Sequence, residues 1–171
     1  VGCGCAGPRC QPPCAMASGT DFLFLLPDAW CGFVVGAKGA TIQRLRRDYR
    51  VDVEIEDRKR GGPQPRAIRI TGAVNAAIAC LQDLFTCIAR ELPERERDST
   101  HHIEAMVKGT QVGAVIGSGG KNAARIRAEF GCGLKIRSGK SPEDPGTIEL
   151  SGKLKAIVFA CCDIMTAIAE P

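Results

Sequence analysis

The chain has 171 residues, with 23 Lys and Arg against 19 Asp and Glu, and 44% of it is hydrophobic, a globular composition with room for one medium domain or two small ones. Disordered and collagen-like classes are excluded, and no apolar run approaches the roughly 18 to 20 residues that a membrane-spanning helix needs. The net charge of +4 is too small to name a partner by itself, so its placement carries the information. Lys38 to Arg50 holds five basic residues and one acid, and Lys121 to Arg137 holds five and one again.

In chain order, residues 1–20 form a leader rich in Cys, Gly and Pro. An apolar strand over Phe22 to Leu26 follows, then a short helix from about Ala29 to Val35 that ends at Gly36, where helices commonly stop. After Gly36-Ala37-Lys38-Gly39 a second helix is expected over Ala40 to Tyr49, with Ile42, Leu45 and Tyr49 on one face. Alternation in Val51 to Ile55 marks a strand, a turn-rich stretch over Asp57 to Arg66 leads to another at Ala67 to Thr71, and a long helix closes the unit. Its apolar stripe is Val74, Ala77, Ile78, Leu81, Leu84, Phe85 and Ile88.

The same order is then written a second time. Shifting the sequence by 81 positions lays Gly32, Val34, Val35, Gly36, Gly39 and Leu45 on Gly113, Val115, Ile116, Gly117, Gly120 and Ile126. Past the next loop the offset is 80, and Ile68, Ile70 and Gly72 meet Ile148, Leu150 and Gly152. The second copy is expected to have strands at Ile103 to Val107, Leu134 to Ile136 and Thr147 to Ser151, and helices at Gln111 to Ile116 and Lys121 to Phe130. Leu154, Ile157, Val158, Cys161, Ile164, Met165 and Ile168 form the stripe of its last helix. The reading is therefore an α+β chain of two β-α-α-β-β-α domains, 21–92 and 101–171, joined by a charged linker at 93–100. In each, three helices cover one face of a three-stranded antiparallel sheet. A core of about 70 residues is marginal alone, so packing of one copy on the other would help.

Ten cysteines fall into two unlike groups. Cys31, Cys80, Cys87, Cys132, Cys161 and Cys162 sit in apolar periodic segments and read as small buried hydrophobes. Cys3, Cys5, Cys10 and Cys14 lie in the leader at a spacing without the paired C-x2-C knuckles of a zinc site, so no metal and no other cofactor is expected. The start of the chain lacks a signal-like charged and apolar segment, and reduced thiols in an intracellular setting are the expectation. An enzyme is not expected either. His101 and His102 are adjacent, with no carboxylate or thiol at a useful spacing, and no small-molecule substrate site is indicated.

The chemistry sits in Gly36-Ala37-Lys38-Gly39 and Gly117-Ser118-Gly119-Gly120. Glycines at both ends allow a tight turn that brings main-chain N–H groups, at the start of the next helix, close to a phosphate. Lys38 and Lys121 add sequence-independent attraction. The G-x4-G-K-[ST] nucleotide loop and the dinucleotide fingerprint are both missing.

With those motifs in view, both copies resemble type I KH domains, most similar to the group of poly(C)-binding proteins and heterogeneous nuclear ribonucleoprotein K, over about 21 to 171. The resemblance implies non-enzymatic binding of single-stranded RNA or DNA, C-rich in sequence, and a part in post-transcriptional regulation of mRNA in nucleus and cytoplasm. It implies a groove of Gly32, Phe33, Val35, Ile42, Val53 and Ile55 around Gly36 to Gly39, and one of Gly113, Ala114, Ile116, Ala123, Leu134 and Ile136 around Gly117 to Gly120. Arg46 and Arg66 would reach the acceptor edge of cytosine in the first copy, and Arg127 in the second, where Gly146 stands in place of another arginine. Ser118 and Ala123 also depart from the pattern, so the second copy is expected to bind more weakly. The different-class alternative is a protein-interaction or homodimer module in which one or both folds have lost nucleic acid; metal delivery through the leader cysteines is a third.

Overall fold

The computed structural model describes residues 19–57, 62 and 64–169. The leader cysteines and the metal-delivery reading that depends on them lie outside the described residues. The first repeat contains β1 (Gly19–Leu26), α1 (Asp28–Val35), α2 (Ala40–Tyr49), β2 (Asp52–Ile55), β3 (Arg66–Ala73) and α3 (Val74–Glu91). A single turn, α4 (Glu94–Arg97), occupies the expected linker. The second repeat follows with β4 (His101–Val107), α5 (Gly109–Ile116), α6 (Lys121–Phe130), β5 (Gly133–Arg137), β6 (Gly146–Gly152) and α7 (Leu154–Ala169).

Several bounds differ from the sequence reading, three of them for a plain physical reason. β1 begins at Gly19, ahead of its apolar run, because β3 is eight residues long and pairs with it from Gly19↔Ala73 to Leu26↔Arg66. Ladder hydrogen bonds extend the strand past the residues that hydrophobic alternation marks. α1 and α5 each start a residue or two early, at Asp28 and Gly109, since polar first-turn residues give no periodic signal.

All strands pair antiparallel, and the two three-stranded sheets are one: the order is β2-β3-β1-β4-β6-β5. The seam is β1 against β4, with Leu23↔Met106, Phe24↔Ala105 and Leu25↔Glu104 opposed. One face of this sheet carries the core. Phe22, Phe24 and Leu26 alternate with Asp21, Leu23 and Leu25, and only the first set is fully buried. Ile103, Ala105 and Val107 repeat the pattern in β4. Above that face α3 packs on α7, α7 also contacts β1, and Phe24 lies between Phe22 and Phe85 at ring distances of 5.8 and 5.9 Å. The two copies thus share one core, which relieves the size limit on each alone.

The stripes of α3 and α7 hold with two shifts. Cys80, Ala160 and Cys162 join the buried set, whereas Val74, Ile78 and Val158 are only half-buried, as expected of a helix roofed on more than one side. Cys31, Cys80, Cys132, Cys161 and Cys162 are buried and in no disulfide, but Cys87 is half-buried and belongs to a polar cluster with Arg44 and Asp83. The ring of His101, the first residue of β4, meets Trp30 edge-on at 4.9 Å, and its Nε2 lies 2.7 Å from the Glu96 carbonyl. That contact ties the start of the second repeat to the first.

Candidate nucleic-acid interface

Between α1 and α2 the chain makes one tight turn, and the corresponding turn between α5 and α6 matches it closely. Gly36 has φ 73° and ψ −176°, Lys38 φ 52° and ψ 29°, Gly39 φ 79° and ψ 12°. Gly117, Gly119 and Gly120 have 73° and 172°, 61° and 23°, 78° and 10°. Gly36 and Gly117 are required twice over. Their positive φ combined with an extended ψ is accessible in practice only to glycine. A Cβ on Gly36 would also stand 2.8 Å from Thr41 Cβ, and one on Gly117 2.6 Å from Asn122 Cβ and 2.9 Å from its backbone nitrogen. Each closes its helix by donating to the carbonyl of Gly32 or Gly113 at 2.9 Å. The middle residues, Ala37 and Lys38 or Ser118 and Gly119, are exposed, so nothing in the described fold covers the turn.

Beside each turn runs a shallow apolar strip. Phe33, Val35, Ile42 and Ile55 are half-buried in the first repeat, and Ile116 and Ile136 in the second, with Phe33, Ile42, Ile55, Ile116 and Ile136 packed on the core from its rim. Gly32 and Gly113 are exposed on α1 and α5, with no atom within 4 Å of where a Cβ would be. Three expected groove side chains are not there. Val53, Leu134 and Ala123 are 0%, 3% and 4% exposed and face the core. Val53 and Ile55 share a sheet face, as do Leu134 and Ile136, but only the strand-end member emerges from under the helices. Ala123, too short to reach past its neighbours, is enclosed where Ile42 is not. With Ala114 in place of Phe33 as well, the second strip is thinner than the first.

The arginines separate into two kinds. Arg46 Nε donates to the Val53 carbonyl at 3.0 Å and its Nη2 to the same oxygen; Arg127 Nε and Nη2 donate to the Leu134 carbonyl at 3.0 and 2.7 Å. Both guanidinium groups are thereby fixed at the strand that borders the strip, on exposed side chains whose Nη1 has no partner among the described residues. An open cleft of about 660 Å³ beside the first strip is lined by Arg46 and Ile55 together with Glu54, Glu56, Asp57 and Arg69. Arg66 is held more tightly, its Nε donating 2.7 Å to the Glu56 carbonyl and its Nη1 3.7 Å from Asp28. Lys121 is exposed at the first position of α6.

Arg44 and Arg125 do something else, which the sequence reading missed. Arg44 grips Asp83 with two nitrogens at 2.7 and 3.3 Å, Tyr49 donates its hydroxyl to Asp83 at 2.9 Å, and Arg44 also reaches the Cys87 sulfur at 3.4 Å. The Arg44 guanidinium, with help from Tyr49, holds the Asp83 carboxyl below the usual range. Arg125 meets Asp163 at 2.6 Å in the second repeat. Each pair pins the helix after the turn onto the long helix, so that the turn is presented on a rigid support. The signal was present: Arg44 and Arg125 share the 81 offset, Asp83 and Asp163 the 80.

A model of the KH domain matches residues 22–85 and again 102–166. The chain belongs to the KH-domain family. The element order in both repeats is that of the type I domain, so these are tandem type I KH domains, and their turns are the paired GxxG loops. KH domains are modules that hold single-stranded nucleic acid, the GxxG loop clamping the backbone, and RNA binding is the activity that membership supports. Among solved structures, the chain is similar to one in a crystal structure of an a/eIF2alpha-aDim2p-rRNA complex from Pyrococcus horikoshii OT3, at 15% identity and a TM-score of 0.34 over 90% of this chain and 87% of that one. It is also similar to Dim2p from the same organism, at 13% identity and 0.35 over 87% and 90%. These likenesses are too remote to bear on function.

Proposed function

We propose that both KH domains bind single-stranded RNA, with ssDNA as an alternative ligand, and that the first selects C-rich sequence, as in the poly(C)-binding and heterogeneous nuclear ribonucleoprotein K group. The observation that carries this reading is the twice-repeated turn, open to solvent, beside an apolar strip with a fixed arginine at its edge. Backbone N–H groups and Lys38 or Lys121 face the sugar-phosphate chain; unstacked bases lie on Phe33, Val35, Ile42 and Ile55, or on the smaller strip of Ile116 and Ile136. Arg46 and Arg66, both donors, suit the acceptor edge of cytosine, and Arg127 alone does this in the second domain. The role is non-enzymatic, in post-transcriptional regulation of mRNA in nucleus and cytoplasm.

Fluorescence anisotropy with C-rich, U-rich and duplex oligonucleotides tests it. The C-rich strand should bind tightest and the duplex weakest, and equal affinity for all three would count against the base preference. Asp pairs at Ala37 and Lys38, and separately at Ser118 and Gly119, should each remove one site from a folded chain. Unchanged binding in both would exclude the loop mechanism. A protein-interaction role is favoured for the second domain alone by its thin strip and a loop without lysine; light scattering with and without oligonucleotide separates that reading.

A further inference from the structure

The two domains differ at one place in a way that neither the loops nor the strips explain. Arg66 is the first residue of β3 and lies opposite Leu26, the last of β1; Asp28 follows two residues later in the first turn of α1. The Asp28 and Arg66 side chains are 10% and 18% exposed, so the contact is largely withdrawn from water. A largely desolvated ion pair adds little net stability over an apolar pair of similar volume, which leaves its presence to be accounted for by what it orients.

The equivalent positions in the second domain are Gly109 and Gly146, in the same register, since Val107 pairs with Gly146 as Leu26 pairs with Arg66. Both members of the pair are glycine. A Cβ on Gly109 would stand 2.6 Å from the Asp144 carbonyl oxygen and nearer still to that of Pro142, and one on Gly146 would collide with Val112 Cγ2. The loop from Arg137 to Gly146 and the α5 side chain therefore fill the volume that the ion pair occupies in the first domain. One chain thus holds two versions of one fold, in which the acid and the base are either both present or both absent.

We propose that Asp28 is a positioning residue for base selection by the first KH domain: with the Glu56 carbonyl it fixes the Arg66 guanidinium at two points. This rests on the nucleic-acid reading of the grooves. An unrestrained arginine would lose its rotamer freedom on meeting a base, whereas one already held loses less and presents its donors in one direction, which rewards the base with matching acceptors. Asp28 does not touch the ligand; it acts through Arg66. The second domain, with Arg127 but without the pair, has the weaker preference for cytosine.

The experiment uses the full chain carrying Ser118→Asp and Gly119→Asp, so that only the first domain reports, and reads the ratio of affinities for C-rich and U-rich oligonucleotides. Arg66→Met should lower that ratio about tenfold. Asp28→Asn should lower it in the same direction by at least about threefold, and the double variant should fall no further than Arg66→Met alone, the non-additivity of two groups that act as one. Asp28→Glu, which keeps the charge, should restore much of the ratio, an outcome that a general loss of folding would not give. A ratio unaffected by Asp28→Asn while Arg66→Met lowers it, or losses that simply add in the double variant, would overturn the proposal alone. Absence of any C-rich preference before Asp28 is touched would overturn the parent reading and this one with it.

Discussion

Gly119→Lys is the substitution that most directly asks what the loops are for. Gly119 sits at φ 61° and ψ 23°, and the matching residue of the first domain, Lys38, adopts φ 52° and ψ 29°, so the fold already carries a lysine in this conformation once. Apart from its chain neighbours, no residue comes within 4 Å of a Cβ on Gly119. The left-handed conformation costs a residue with a side chain about 1 to 2 kcal/mol, and loss of glycine's freedom in the unfolded chain returns about 0.4 to 1 kcal/mol. The net cost is about 1 kcal/mol, or a fall of about 2 to 4 °C in Tm for a chain of this size. Gly117→Ala, two residues earlier, is the contrast: a glycine-only conformation at about 1 to 3 kcal/mol adds to steric overlap with Asn122 at about 1 to 3 kcal/mol, although alanine is the smaller residue. If the loop grips phosphates, the new lysine adds one contact and steepens the dependence of log affinity on log salt by about 0.7. The assay is anisotropy over a salt series, on a chain whose first loop carries Ala37→Asp and Lys38→Asp, with thermal melting alongside. A variant that stays folded while its slope and affinity do not change would refute the assignment of this loop to the nucleic-acid backbone.

Other perturbations address the scaffold. Asp83→Asn should cost about 1 kcal/mol at neutral pH, the scale of a half-exposed charge-assisted contact. Because the Asp83 carboxyl titrates lower in the folded chain than in the unfolded one, its stabilisation is complete above the unfolded carboxyl value of about 3.9 and is lost as pH falls through the folded one. The variant's acid denaturation curve should therefore be flatter below about pH 4, and an unchanged acid limb would refute the coupling. Burial pushes the Cys80 thiol up to about 12 and the Cys161 thiol further in the same direction. Alkylation followed by mass spectrometry at neutral pH should spare both until denaturant is added, and fast native labelling of either would contradict the packing of α3 and α7. Phe24→Ala, at a fully buried position between Phe22 and Phe85, should lower stability by about 3 to 5 kcal/mol by chemical denaturation.

Most of the architecture could be read from residue order alone, because each copy checked the other. The bounds of α2 and α6 agree to the residue, since an amphipathic stripe opens after a glycine and closes at an aromatic residue in both. The seam could not be read. Phe22, Phe24 and Leu26 alternate as any half-buried strand does, and nothing in Leu23 or Met106 announces that their backbones pair. At the candidate interface the turns and Arg46 and Arg127 were visible as repeated letters, whereas the depth of Val53 and Leu134 was not, because residues on one sheet face differ only in how far a helix overhangs them. Asp28 escaped notice because its partner is distant in sequence and its counterpart is a glycine, so the shifted alignment shows a mismatch where the structure shows a substituted unit.

The antiparallel meeting of β1 and β4 dictates one more property. It makes the two halves of the molecule run in opposite directions, as a half-turn rotation would, with β2 and β5 as the outermost strands. A polymer that enters both channels in the same chemical sense must travel outward along one flank and homeward along the other. A single molecule engaging both flanks has to make a U-turn, and two separate molecules would lie head to tail.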